Sequence, residues 1–176
     1  MKKINLTSML LLIVLGLTMV SCSKKDDETN PTTGELVGVW TCTGVNYTGS
    51  TVTEYMGQNM TTAEYTGTGY DIDFTFTISE NPNIATSEGS YSIELVTTAM
   101  GQSVTQNIED LDFYFTGEWS REGNTMTVTE GGESSDATIV KLTDTEFEVN
   151  IVSVESIETS GATATTTINT TITFTR

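Results

Sequence analysis

The sequence predicts an all-β protein: an antiparallel meander of about 8–10 strands, closed as an up-and-down barrel or packed as a sandwich. Three observations carry that expectation. Threonine supplies 36 of the 176 residues, and its branched Cβ favours extended backbone over helix. Apolar and polar residues alternate with period two over long stretches, the mark of strands with one buried face. Turn-forming glycine, asparagine and proline punctuate these runs at short intervals, as tightly connected neighbouring strands require. After the leader described below, about 140 residues remain, enough for one domain with a real core.

The strands are expected at 36–47, 60–67, 70–78, 89–98, 103–108, 111–119, 125–130, 137–142, 145–154 and 164–175. In the third, Tyr70, Ile72, Phe74, Phe76 and Ile78 share one face, with Asp71, Asp73, Thr75 and Thr77 opposite. In the sixth, Leu111, Phe113, Phe115, Gly117 and Trp119 oppose Asp112, Tyr114, Thr116 and Glu118. In the last, Ile168, Thr170, Ile172, Phe174 and Arg176 oppose Asn169, Thr171, Thr173 and Thr175. A slip of one residue would expose the apolar set, so these registers are firmly specified. Reversals are expected at Gly67-Thr68-Gly69, Asn81-Pro82-Asn83, Glu88-Gly89, Met100-Gly101-Gln102, Gly123-Asn124, Gly131-Gly132, Thr143-Asp144 and Ser160-Gly161. Met100, Val104, Ile108 and Leu111 also recur at helical spacing, but the alternation of 103–108 after Gly101 favours a hairpin strand.

Ahead of the strands lies a leader. Lys2 and Lys3 precede an apolar run from Met9 to Met19, which is short for a membrane span and ends in Val20-Ser21-Cys22. This segment resembles a bacterial lipobox, with Met19 where leucine is commoner. The resemblance implies that residues 1–21 are removed and that Cys22 becomes the lipidated first residue, a membrane partner through a lipid anchor. Ser23-Lys24-Lys25-Asp26-Asp27-Glu28 resembles the export signal of Bacteroidota-type surface lipoproteins. That implies an outer-membrane location at the extracellular face, with the periplasmic face as the alternative. Residues 22–34 hold almost no apolar side chains and read as a flexible charged tether. The folded domain is then 35–176.

Composition narrows the chemistry. The formal charge of the whole chain is −17, and residues 35–176 keep only Arg121, Lys141 and Arg176 against 21 acids, a charge of −18. Such a surface repels phosphate backbones, so nucleic acid is excluded as a partner, while a cationic protein partner remains open. No histidine is present, which removes serine–histidine and cysteine–histidine catalysis and nitrogen-ligated zinc sites. No catalytic motif is found, and no metal or cofactor is expected. Glu109-Asp110-Leu111-Asp112 lacks the glycine and spacing of a calcium loop. Cys42 is left without a partner once Cys22 carries lipid, so it reads as a buried, unreactive thiol.

Gly38-Val39-Trp40 at the start of the first strand, with Arg176 on the last, resembles the signature of the lipocalins. Gly117-Glu118-Trp119-Ser120-Arg121-Glu122-Gly123-Asn124-Thr125-Met126-Thr127-Val128 and Ala137-Thr138-Ile139-Val140-Lys141-Leu142-Thr143-Asp144-Thr145 are similar to stretches of lipocalin-like lipoproteins from Bacteroidota. Most of 35–176 takes part in this resemblance, although Met126 replaces a leucine and no disulfide pair is present. It implies that Gly38, Trp40 and Arg176 close the base of a barrel, the guanidinium lying on the indole. It also implies a non-enzymatic barrel for a small apolar or amphipathic ligand. Phe74, Phe76, Tyr91, Phe113, Phe115, Trp119 and Phe147 fall on inward faces and are the candidate ligand-lining residues. The alternatives are an acidic protein-interaction or inhibitor module, and carbohydrate capture by Tyr47, Tyr55, Tyr65 and Tyr114.

Overall fold

The computed structural model of the chain describes residues 32–176. The leader, Cys22 and the tether as far as residue 31 lie outside the described residues. Nine antiparallel strands follow: β1 (Gly38–Tyr55), β2 (Gln58–Ser79), β3 (Ile84–Ala99), β4 (Gln102–Asp112), β5 (Phe115–Glu122), β6 (Thr125–Glu130), β7 (Glu133–Leu142), β8 (Glu146–Thr159) and β9 (Ala162–Thr175). They form one up-and-down sheet in the order β2-β1-β9-β8-β7-β6-β5-β3-β4, and pairing of β2 with β3 closes it into a barrel-like ring.

Four of the hairpins have two-residue turns with positive φ at both positions: Met56-Gly57, Met100-Gly101, Gly131-Gly132 and Ser160-Gly161. That backbone twists in the same sense as the strands, which is why it suits tight hairpins. These four tips lie at one end, here called the top. The reversals at 80–83, 123–124 and 143–145 lie at the base.

Several sequence expectations need correction. Gly67-Thr68-Gly69 is no reversal, because β2 runs unbroken through it. A Cβ on Gly67 would stand 2.7 Å from Ile93 Cδ1 and 3.2 Å from the Tyr47 ring, so glycine serves close packing there. Glu88-Gly89 also lies inside a strand. Gly89 has φ of 127°, and a Cβ would fall 2.1 Å from Asp73 O, a position that only glycine tolerates. The first reversal is instead at Met56-Gly57, which makes β1 18 and β2 22 residues long. A bulge between Tyr70 and Asp73, with Asp71 at φ 48°, puts Tyr70 opposite Ser92 and restarts the alternation at Ile72.

The expected strand 111–119 is divided. Leu111 and Asp112 end β4, and β5 starts at Phe115. Strand β3 serves both: Ser90–Ala99 pair with β4 and Ile84–Ser87 pair with β5. The crossing is tied down by Phe113 N donating to Gly89 O at 2.9 Å and by the Ser87 hydroxyl donating to Phe113 O. Phe113 therefore still faces inward although it belongs to neither strand. The segment 102–111 is strand rather than helix, and every residue of β4 except Leu111 is exposed.

The core fills the lower barrel. Trp40, Phe74, Ile78, Met126, Ile139, Leu142, Phe147 and Phe174 are all at most 2 % exposed. Each such side chain contributes roughly 1.5–3 kcal/mol through apolar burial. Aromatic rings link them: Trp40 lies 5.4 Å from Phe147, which stacks on Phe174 at 5.4 Å, and Phe74 meets Phe113 at 4.7 Å between centroids. Offset and edge contacts of this kind add to the area term.

Candidate functional site

The base of the barrel is sealed by a small polar lid. The Arg176 guanidinium lies 4.1 Å from the centre of the Trp40 ring. Its nitrogens donate to three main-chain carbonyls, Asp144 O at 2.7 Å, Val37 O at 2.9 Å and Glu35 O at 3.0 Å. The Trp40 indole N–H donates to Leu36 O at 2.9 Å, so the buried ring leaves no polar atom unmet. Gly38 makes room for the lid, since a Cβ there would stand 2.8 Å from Arg176 Nη1. The structure thus brings Gly38, Trp40 and Arg176 into one contact set. The chain is already docked at this end from Thr32, which bridges Leu142 and accepts a hydrogen bond from Arg121 Nη2 at 3.1 Å.

Above the aromatic floor the barrel is not filled. A cavity of about 360 Å³ is lined by Phe76, Phe113, Phe115, Met126, Val128, Ala137, Val149, Ile151, Ile172 and Phe174, with Glu130, Glu133, Ser135 and Asp136 at its mouth. A smaller one of about 150 Å³ lies beside it, lined by Val45, Tyr47, Phe74, Tyr91, Phe113, Ile151, Thr170 and Ile172. Phe113, Ile151 and Ile172 border both.

The opening has a topological cause. Strands β7 and β8 pair only from Leu142–Phe147 up to Thr138–Asn150, with a bulge between Ile139 and Lys141. Beyond that point β8 climbs a further nine residues with β9 as its partner, while 133–137 of β7 pair only with β6. The wall formed by the β6–β7 hairpin is therefore low, and a seam flanked by Asp136, Ala137 and Ile151 leads into the larger cavity.

Of the seven aromatic residues expected to line a ligand space, Phe76, Phe113 and Phe115 border the larger cavity, and Phe74, Tyr91 and Phe113 the smaller. Phe147 and Trp119 border neither. Phe147 is fully buried in the floor against Trp40 and Phe174. Trp119 packs at the core edge with its indole N–H donating to Ser79 O at 2.8 Å. Period-two alternation gives the face of a side chain but not its height along the barrel, and height separates these two from the rest. Seven further apolar side chains line the larger cavity outside that expected set: six are non-aromatic, including Val128, Ala137 and Ile151, and the seventh is Phe174. The signal was present in the alternation Met126, Val128, Glu130 running into the Gly131-Gly132 turn.

The polar groups nearest the interior are tuned for burial rather than reactivity. Burial pushes the Cys42 thiol up to about 11, with the Gly44 carbonyl as its hydrogen-bond partner, so it stays protonated. The Tyr47 and Tyr91 hydroxyls bond to one another, and burial followed by that bond pushes Tyr47 up as well. Tyr65 reaches Thr51 at 2.8 Å, whereas Tyr55 and Tyr114 stand exposed on separate segments, so the four tyrosines make no shared platform. Among the described residues no group of three or more acidic or sulfur side chains converges as a metal site would require. None of the described segments is a helix long and apolar enough to cross a membrane.

The three described cations all sit toward the base. Arg176 forms the lid, Arg121 holds Thr32 and Gly123, and Lys141 pairs with Glu146 at 2.6 Å. Among the described residues, the charged groups at the mouth are carboxylates alone. In comparisons with known proteins, no family model matches this chain, and no curated protein or solved structure matches it.

Proposed function

We propose that this protein is a lipid-anchored, non-enzymatic barrel that binds a small apolar or amphipathic ligand in the cavity of about 360 Å³. The observation that carries this reading is the apolar chamber reached through the seam between β7 and β8. Its volume falls in the range of small-molecule pockets, roughly 300–1,000 Å³, and its walls are the aliphatic and aromatic surfaces that such ligands bury. A β-ring of this kind hosts many functions, so the argument rests on the chamber and not on the architecture.

Anchorage fits the same arrangement. Thr32 docks at the base, and the ten residues back to Cys22 reach at most about 35 Å when extended. Attached through a lipidated Cys22, the barrel is tethered from its sealed end, at the outer membrane's extracellular face.

The test is displacement of a neutral fluorescent naphthylamine from the mature chain, paired with native mass spectrometry of protein made in its own host. Ala137→Trp places an indole in the chamber and should abolish uptake while leaving the circular dichroism unchanged. Uptake that persists in a folded Ala137→Trp variant would overturn the assignment.

A further inference from the structure

The chamber's rim is built in a way that its apolar walls do not require. Met126, Val128 and Glu130 share the inward face of β6, and Ala137, Ser135 and Glu133 share the inward face of β7. Glu130 and Glu133 are the last cross-strand pair before the Gly131-Gly132 turn, and both border the cavity. Directly opposed residues in an antiparallel pair lie about 4.5–5.5 Å apart at Cβ, and like charges there are unfavourable. Glu130 is held in place, its Oε1 accepting a hydrogen bond from Thr116 N at 3.2 Å beside Phe115. Asp136 lies at the same opening, with Oδ1 engaged by the Thr127 hydroxyl at 2.6 Å. None of the three described arginine and lysine side chains approaches this rim, because all three are committed to the base.

An apolar chamber under an uncompensated pair of carboxylates is complementary to one class of molecule. We infer that the ligand is a cationic amphiphile, with an apolar tail seated among Phe76, Phe115, Val128 and Ile172 and an amine or quaternary ammonium head between Glu130 and Glu133. The inference rests on the cavity reading above and adds the charge of the head. The head relieves the Glu130–Glu133 repulsion, so the empty barrel carries an unfavourable contact that the occupied one lacks. It also fixes the ligand's direction: tail toward the aromatic floor, head in the seam. An anionic amphiphile of the same length meets two carboxylates where its own charge must sit, and is rejected.

The test uses the mature chain with Cys22→Ala, which keeps every described residue, and three ligands of equal tail length: decyltrimethylammonium, decanol and decanoate. Isothermal titration calorimetry at low ionic strength should rank them in that order, with cation over anion by about tenfold from two exposed charge contacts. The Glu130→Gln/Glu133→Gln variant should bring the three affinities together while leaving decanol within about twofold. Glu54→Gln/Glu64→Gln on β1 and β2, strands across the ring from β6 and β7, removes the same charge away from the rim and should leave the ranking intact. A ranking that survives the rim variant, or is lost equally in the β1–β2 variant, would place the preference in the overall charge and overturn the assignment of the head site. Decanol binding without any charge preference overturns the cationic class alone; no binding by any of the three overturns the cavity reading with it.

Discussion

Replacing Arg176 with alanine tests how the barrel's base is held. The side chain makes three hydrogen bonds to main-chain carbonyls and covers the face of Trp40, which is itself fully buried. Hydrogen bonds from a charged donor contribute more than neutral ones when buried, but Arg176 is solvent-exposed, so about 0.5 kcal/mol each is appropriate. The cation–π contact adds about 0.5–1 kcal/mol at such a site. Together these give a loss of about 2–2.5 kcal/mol for Arg176→Ala, or roughly 5–10 °C in Tm for a domain of this size. Arg176→Lys keeps the charge, but a single ammonium cannot stack on the ring and span three carbonyls, so it should restore less than half. Urea unfolding followed by tryptophan fluorescence measures both variants, and the Trp40 emission should shift to the red in the alanine form before the main transition. A midpoint unchanged by Arg176→Ala, or a lysine variant as stable as the parent, would refute the reasoning.

Three other outcomes are expected. Gly89→Ala forces a Cβ to within 2.1 Å of Asp73 O at a φ of 127°, so it should destabilise the fold by at least about 2–3 kcal/mol or prevent folding, read as lost soluble yield and a lowered urea midpoint. The Cys42 thiol, raised from 9.0 to about 11 by burial, ionises first in the unfolded chain; stability should therefore fall as pH rises from about 9 through 11, with Tyr47 acting in the same sense. Alkylation by iodoacetamide at pH 8 should accordingly require unfolding, and rapid labelling of the native protein would contradict the burial. Finally, Cys22→Ala should release the protein from membranes washed without detergent or leave it unprocessed, while the barrel's circular dichroism stays the same; retention at parental levels would refute lipidation.

The all-β class and the in-or-out sense of most strand positions were legible in the chain because alternation is a local property. Each residue's face follows from its immediate neighbours, so Phe74, Phe76, Ile172 and Phe174 could be placed inside before any strand was paired. Phe113 kept its inward sense even though its segment turned out to be a crossing between β4 and β5, since two bonds to β3 preserve the alternation there. Glycine was the weak signal. Gly57 makes a hairpin, Gly67 makes space for Tyr47 and Ile93, and Gly89 permits a backbone approach, yet a linear reading treats the last two as turns.

The chamber belongs to another level. It exists because β8 outruns β7 beyond Asn150 and because the β6–β7 hairpin is short. Both are matters of which ladders end where, and no period-two pattern encodes them. The alternating pattern names the side chains that avoid water; pairing lengths around the ring determine whether those side chains touch one another or leave room for a guest.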